Sequence, residues 1–296
     1  KVGEVLLHGT NWWWMFFSLL FGVLAQVFRG WRWKQMLEPL EAFPKRSDCV
    51  NAIFISYAAS LIVPRVGEVS RCGVLAKYDN VSFAKSLGTV VTERLVDTLT
   101  ILLITGVTVL LQLPIFVTFL QQTGTKIPSL LHLLTSVWFY IVLFCFIGVG
   151  MLLYYLRKTL FFYERVKGFV LNIWEGVMSL KGVRNIPLFS FYTLAIWGCY
   201  FFHFYFTFYC FAFTAHLSIL AALVMFVGGT FAVIVPTPNG AGPWHFAVIS
   251  MMMLYGVNET DAGIFALIVH GIQTFLVVLL GVYGLAALSL TNRQRK

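Results

Sequence analysis

Three charged residues lie close together in an otherwise apolar part of the sequence. Glu93, Arg94 and Asp97 fall within about one helical turn, and a long uncharged run follows them. Each charge in a membrane helix costs roughly 2.5–3.5 kcal/mol on insertion scales, so these side chains need partners or a water-filled cavity. Arg94 can reach Asp97 at i+3. Two interpretations stay open: an internal salt bridge that fixes this helix to a neighbour, or a binding site on a substrate path.

A second group of charges follows a proline earlier in the sequence. Arg65 and Arg71 carry forked N–H donors that suit phosphate. A helix that begins after Pro64 would point free backbone N–H groups at a ligand, and Gly67 would let the backbone approach it closely. Glu68 is expected to pair with Arg71 three residues on. The alternative is a cytoplasmic loop with ordinary surface charge.

A third candidate is the turn between Pro236 and His245. Its prolines and glycines cannot continue a helix, so the turn must break the apolar stretch around it. Pro243 suits the first turn of a new helix, with His245 in that same turn. The histidine could bind a phosphate, move a proton or simply satisfy broken backbone groups. The candidate binding residues of this turn are Asn239, Gly240, Gly242 and His245.

The composition places these residues in a membrane protein. Of 296 residues, 59% are hydrophobic and 11% are charged. A water-soluble or disordered chain would need far more charge. The prediction is an all-α polytopic membrane protein formed by a single integral membrane domain, residues 1–296. Because the chain begins at Lys1 and not at Met, we expect that the true N-terminus lies upstream, with room for one more helix. The five cysteines form no C-x-x-C pair, and no cofactor or metal is expected.

Five apolar stretches are long enough to cross a bilayer, at about 20 residues each. They are about 12–28, 86–112, 132–156, 188–213 and 263–286. The first is flanked by Trp12–Trp14 and by Trp31 and Trp33, which predicts an aromatic belt at each membrane surface. Lys and Arg concentrate in the linkers 29–46 and 157–184 and in the C-terminal tail. The positive-inside rule therefore places these segments, including the C-terminus, in the cytoplasm.

Two further apolar stretches do not fit as crossings. Residues 48–85 are flanked on both sides by predicted cytoplasmic segments, and residues 217–255 by predicted external ones. Each is therefore predicted to be a re-entrant hairpin, and the two enter from opposite faces, as in inverted-repeat transporter cores. The alternative is a pair of ordinary kinked helices. Residues 160–181 repeat apolar positions at helical spacing, which predicts an amphipathic helix at the cytoplasmic interface.

Taken together, these motifs resemble the transmembrane region of bacterial lysylphosphatidylglycerol synthases, a family that includes flippase-like integral membrane proteins. The resemblance implies lipid translocation in a bacterial inner membrane, whereas lipid aminoacylation belongs to a separate soluble domain that this sequence lacks. The family usually has a glutamate where His245 stands. The matching elements, in order, are Arg32-Trp33, Gly67-Glu68-x-x-Arg71, Glu93-Arg94-x-x-Asp97 and Pro236-x-Pro-x-Gly240-x-Gly242.

The predicted partner is an anionic phospholipid or a polyprenyl-phosphate-type lipid, held by its phosphate between the two hairpins. The net charge of +9 is explained by topology and anionic lipid, and no nucleic acid is expected. The common enzyme motifs are absent from the sequence, so a non-enzymatic role is predicted. Two rival functions stay open. One is a membrane-embedded transferase with Glu93 or Asp97 as general base, and the other is a lipid-binding scaffold that transports nothing.

Overall fold

The computed structural model describes residues 2–5, 9–123, scattered positions between 137 and 151, and 163–293. Among these residues the regular secondary structure is helical, and the β structure is limited to one isolated bridge. After a short turn at Val2–Glu4, the α-helices are α1 Trp12–Leu37, α2 Arg46–Ile62, α3 Val66–Tyr78, α4 Phe83–Leu111, α5 Leu113–Thr123, α6 Tyr163–Met178, α7 Ile186–Tyr205, α8 Ile219–Ala232, α9 Pro243–Leu254 and α10 Glu259–Arg293. The 3₁₀ helices are Glu38–Leu40, Ser179–Gly182, Phe206–Cys210 and Pro238–Gly240.

Four helical segments are long and apolar enough to cross a membrane, and they match four of the five predicted spans. They are Trp12–Leu40, Phe83–Leu111, Ile186–Cys210 and Glu259–Thr291. The remaining predicted span, 132–156, lies outside the described residues apart from a few scattered positions. The protein is therefore a multi-pass helical membrane protein.

The long helices begin at side chains that cap their N-termini. The Asn11 side chain accepts a hydrogen bond from the Trp13 backbone N–H at 3.2 Å, and Asn185 accepts one from Leu188 at 3.0 Å. Asparagine is among the best N-cap residues because its oxygen satisfies an N–H that has no partner inside the helix. Pro187 adds a preset backbone angle in the first turn of α7.

Two pairs of shorter helices alternate with the long ones. We call α2–α3 the first hairpin and α8–α9 the second hairpin. Their helices have 17, 13, 14 and 12 residues, each below the ~20 residues that a crossing requires. The first hairpin turns at Arg65, whose φ is 65°, and the second turns where φ is again positive at Asn239, Gly240 and Gly242. Proline and left-handed backbone therefore end the helices where the sequence predicts a break.

Close helix contacts pack the first hairpin tightly. A Cβ atom at Gly67 would overlap the carbonyl oxygen of Ser56, so α3 lies directly against α2. A Cβ at Gly281 would likewise overlap Ala58, which brings α10 against the other side of α2. Small residues let helix backbones approach each other where no hydrophobic drive exists between them and lipid.

Loops that the charge pattern assigns to the same side lie together in the fold. Pro39, after α1, contacts Gly182, just before α7. At the other end of the bundle, Thr10 and Phe211 form an isolated bridge, and the Tyr255 hydroxyl donates to the Gln112 side chain at 3.2 Å. This arrangement agrees with the predicted grouping of the loops.

The amphipathic segment packs against the edge of the bundle. Helix α6 meets α4 where Gly88 and Gly176 face each other, and Lys85 forms an ion pair with Glu175 at 2.9 Å. The Thr92 hydroxyl donates to the Val177 carbonyl at 2.9 Å. Apolar side chains such as Trp174 remain exposed on α6. The predicted role as a connector against the bundle fits this packing, while its position at a membrane surface stays a prediction.

Candidate functional site

A cluster of five buried charged residues joins three helices, and we call it the ion cluster. Helix α1 contributes Arg29 and Arg32, α3 contributes Arg71, and α4 contributes Glu93 and Asp97. None is more than 6% exposed. Arg29 donates to both carboxylates, at 2.8 Å to Asp97. Arg32 donates to Asp97 at 2.7 Å, and Arg71 donates to Glu93 at 2.9 Å. Each buried charge therefore has a partner, as low dielectric surroundings require.

Helical spacing explains how these side chains meet. Arg29 and Arg32 are three residues apart on α1, and Glu93 and Asp97 are four apart on α4, so each pair shares one helix face. Arg71 enters from α3 with its guanidinium 4.7 Å from the centre of the Trp33 ring.

Trp33 holds Arg71 in place and does not belong to an interfacial belt. Trp33 is fully buried, and its indole N–H donates to the Thr89 hydroxyl at 2.9 Å. The prediction of an aromatic belt at Trp33 is therefore wrong. A tryptophan face stabilises a desolvated guanidinium by cation–π attraction, which explains why this ring is inside the protein.

Arg94 and Glu68 form a more exposed layer above the ion cluster. The Arg94 guanidinium lies 3.0 Å from Glu93 and 3.5 Å from Asp97, which confirms the predicted i+3 contact. Its Nε lies 3.4 Å from Glu68. The predicted partner of Glu68 was Arg71, but Arg71 binds Glu93 instead. Without Arg71, the buried Glu93 carboxylate would lose part of its charge compensation. Pairing a buried charge stabilises the fold more than a local pair at the surface does, so Arg71 contacts Glu93 and not Glu68.

Two adjoining cavities open beside this layer. The smaller cationic cavity has a volume of about 200 Å³, and the larger cavity about 540 Å³. Both are bounded by Arg29, Arg65, Glu68, Arg94 and Val233.

The breaks of both hairpins meet at these cavities. Both breaks contribute to the wall of the smaller cationic cavity: Pro64 and Arg65 from the first hairpin, and Pro236, Thr237, Asn239 and Gly240 from the second. The Arg65 guanidinium donates to the Ile234 carbonyl at 3.1 Å, so the two breaks touch.

The charge of the cavity walls is positive. Four arginines and two carboxylates line the two cavities: Arg29, Arg65, Arg71, Arg94, Glu68 and Asp97. Among the described residues, several buried donors have no hydrogen-bond partner, including Arg71 Nη2, Thr237 Oγ1 and Trp197 Nε1. An anion with several oxygens would satisfy such donors, and the forked geometry of arginine suits phosphate in particular.

The predicted site residues fall into two groups. The cavities bring together Arg65, Glu68, Arg71, Arg94, Asp97, Asn239 and Gly240.

The others lie outside the cavity walls. Glu93 lies beneath them, paired with Arg29 and Arg71. Gly67 packs against α2, and Gly242 and His245 form the start of α9, where the His245 ring accepts a hydrogen bond from the Gly242 N–H at 3.4 Å. A binding role for these four residues stays a prediction.

Sequence reasoning missed the parts that Arg29 and Arg32 play. Both were counted as cytoplasmic loop charges after a span ending at residue 28, whereas α1 continues to Leu37 and buries them. A signal for this was present: Gln26, Arg29 and Trp33 repeat at spacings of three and four, which places them on one helix face.

No group of three or more His, Cys, Asp or Glu side chains among the described residues could hold a metal ion.

Comparison with known proteins agrees with the resemblance drawn from the motifs. The sequence profile of the family described as "Lysylphosphatidylglycerol synthase TM region" matches residues 4–281, which includes both hairpins and the ion cluster. Neither the curated proteins nor the solved structures include a match to the chain. The extent of the family match is decisive, and the chain belongs to the family of the lysylphosphatidylglycerol synthase transmembrane region.

Proposed function

We propose that the protein moves a phosphate-bearing lipid between the leaflets of a bacterial inner membrane, with its C-terminus in the cytoplasm. The observation that carries this proposal is the pair of cationic cavities at the point where the two hairpin breaks meet. A lipid phosphate needs a partner for its charge to cross hydrocarbon. Burying an unpaired charge costs far more free energy than burying a neutral group that is hydrogen-bonded. Membership of a family named for a lipid synthase is consistent with a lipid partner.

We infer that the first and second hairpins are re-entrant and enter the membrane from opposite faces. All four of their helices are too short to cross a bilayer alone. The contact between Arg65 and the Ile234 carbonyl joins the two tips. Irregular backbone at membrane depth is tolerated where it lines a water-filled cavity. Both breaks line the smaller cationic cavity.

The headgroup and the acyl chains have different surroundings in this arrangement. Arg65, Arg71 and Arg94 would hold the phosphate in the smaller cationic cavity. The larger cavity adds apolar walls at Leu102 and Ile234, and both side chains are exposed on the bundle surface. Acyl chains can thus stay in the bilayer while the headgroup is bound. Rocking of one hairpin against the other would expose the cavity to each leaflet in turn.

We further propose that the protein is not an enzyme. A general base needs a carboxylate that is free to accept a proton. Glu93 accepts hydrogen bonds from three arginines, and Asp97 accepts them from two. Both candidate bases are thus held as partners of buried cations, which favours transport over the transferase alternative.

The test is lipid movement in liposomes that contain the purified protein. A phospholipid labelled on its acyl chain is bleached from outside by a reductant that cannot cross the membrane, and the loss of inner-leaflet label measures transport. Arg94→Ala should slow transport about tenfold to a hundredfold, since a charge-assisted hydrogen bond contributes roughly 1.5–3 kcal/mol. Arg184→Ala is the matched control, because Arg184 is exposed and lines neither cavity.

Two results would contradict the proposal. The first is a wild-type protein that moves no lipid, which would favour the scaffold. The second is a new lipid product in mass spectra of the liposomes, which would favour the transferase. Equal rates of lipid transport for Arg94→Ala and Arg184→Ala would show that the cavity arginines take no part in transport.

A further inference from the structure

A third cavity lies next to the smaller cationic cavity, and we call it the polar chamber. Its volume is about 190 Å³, and helices α1, α2, α7 and α10 and the second hairpin form its walls. The two spaces share Tyr57, Val233 and Asn239. At about 30 Å³ per water molecule, the chamber holds about six waters, or a group about the size of glycerol or a single sugar ring.

The walls of the polar chamber offer hydrogen bonds but no formal charge. Its polar residues are Gln26, Tyr57, Tyr200, Asn239, Gln273 and two histidines, and none of its lining residues is Asp, Glu, Lys or Arg. Gln26 is only 4% exposed, and its Oε1 has no hydrogen-bond partner among the described residues. Gln273 Nε2 likewise lacks one. An unpaired buried acceptor and an unpaired buried donor together match a hydroxyl group, which both donates and accepts.

The surroundings of the polar chamber disfavour a cationic guest. The Arg29 guanidinium lies 5.7 Å from the centre of the Tyr200 ring, which forms part of the wall. No carboxylate lines the chamber to balance an ammonium group. In a low-dielectric site an unpaired cation beside an arginine is strongly unfavourable, whereas a neutral polyol carries no such cost.

Helix α1 connects the two spaces. Gln26 and Arg29 are three residues apart and share a face, so one side of α1 presents an amide to the polar chamber and a guanidinium to the cationic cavities. A lipid headgroup with a phosphate followed by hydroxyl groups matches this arrangement, with the phosphate at the guanidinium and the hydroxyl groups at the amide.

We propose that the polar chamber receives the uncharged, hydroxyl-bearing part of a lipid headgroup while the arginines hold its phosphate. This inference rests on the proposed function and specifies its substrate class: an anionic phospholipid with a polyol or single-sugar headgroup, and not one with an ammonium group. The Tyr57 and Tyr200 hydroxyls, hydrogen-bonded at 2.5 Å, lie where the two spaces adjoin and can exchange that bond for one to the guest.

The test compares short-chain lipids that differ only in the headgroup. Phosphatidylglycerol and phosphatidylethanol carry the same charge, but only the first has hydroxyl groups. Dissociation constants for the purified full chain in detergent are measured by native mass spectrometry. We expect phosphatidylglycerol to bind about tenfold more tightly, as one or two added hydrogen bonds provide. Phosphatidylinositol carries its hydroxyl groups on a ring. Its affinity relative to phosphatidylglycerol shows whether the polar chamber prefers a ring or a glycerol group.

Two variants at one position test the chamber directly. Gln26→Leu should abolish the preference for phosphatidylglycerol over phosphatidylethanol. Gln26→Glu should increase affinity for phosphatidylethanolamine about tenfold, because the new carboxylate would pair with the ammonium group. A gain of binding cannot result from misfolding, so Gln26→Glu remains informative if Gln26→Leu is unstable.

Each outcome separates this inference from the proposed function. Equal binding of phosphatidylglycerol and phosphatidylethanol by the wild type, or a preference that survives in Gln26→Leu, would overturn the polar chamber's role. The proposed function would still hold if phosphatidylethanol bound and Arg94→Ala weakened it. Failure of every phosphate lipid to bind would overturn both.

Discussion

Removal of the charge on Glu93 tests whether the ion cluster holds the bundle together. Glu93 is fully buried and accepts hydrogen bonds from Arg29, Arg71 and Arg94. Glu93→Gln keeps the shape of the side chain but leaves three buried arginines of the cluster with Asp97 as their one carboxylate partner within it. We expect this variant to fold less stably than the wild type.

The size of the effect follows from the geometry. With an effective dielectric constant of about 20, unit charges separated by the 2.9 Å between Arg71 and Glu93 attract by about 6 kcal/mol before desolvation is counted. Desolvation removes much of this gain, but loss of one partner of a buried pair typically costs about 3–5 kcal/mol, because the other charge stays buried. We therefore expect Glu93→Gln to lower the free energy of unfolding by about 3–5 kcal/mol.

The assay is unfolding by SDS in mixed micelles, followed by circular dichroism. Glu68→Gln is the matched control, since Glu68 is 38% exposed on its side chain and its contact with Arg94 is 3.4 Å long. A pair of this kind contributes about 0–1 kcal/mol. The double variant Glu93→Gln/Arg71→Met should regain part of the lost stability, because it also removes an orphaned cation. Equal losses for Glu93→Gln and Glu68→Gln would refute the reasoning, as would a double variant whose loss equals the sum of the single losses.

Two further predictions concern the packing and the ends of helices, and the same SDS assay checks both. Gly67→Ala should lower the free energy of unfolding by about 1–3 kcal/mol, because its Cβ would overlap the Ser56 carbonyl. Gly73→Ala, on the same helix with open space around it, should be neutral or slightly stabilising, and similar losses for both would contradict the close contact. Asn185→Ala should lower the free energy of unfolding by about 1 kcal/mol through loss of the cap on the Leu188 N–H, whereas Asn185→Asp should retain it. A full loss in Asn185→Asp would argue against the cap.

Hydropathy and proline placement were sufficient to predict much of the architecture. Four long apolar stretches appear as membrane-crossing helices, and Pro64 and Pro236 lie where the short helices are interrupted. These features depend on local composition and on backbone groups that proline removes, so the sequence carries them directly. The meeting of Arg65 and the second hairpin at one cavity also agrees with the expected arrangement.

Contacts between different helices could not be predicted from the sequence. Hydropathy ends the first span where charges begin, so Arg29 and Arg32 were assigned to a loop although α1 buries both. Spacing alone paired Glu68 with Arg71, but the buried Glu93 competes for that guanidinium from another helix. Residues from α1, α2, α7, α10 and the second hairpin line the polar chamber, and no local pattern links Gln26 to Gln273.

The unequal numbers of charges in the ion cluster have a consequence for the protein when it holds no lipid. Three arginines face two carboxylates there, so the ion cluster itself is one negative charge short of neutrality. An arriving phosphate would act as the missing counterion as well as cargo. Any ligand that binds only the folded form also makes that form more resistant to unfolding, so the protein should keep its structure longest in anionic lipid and lose it soonest in an uncharged detergent.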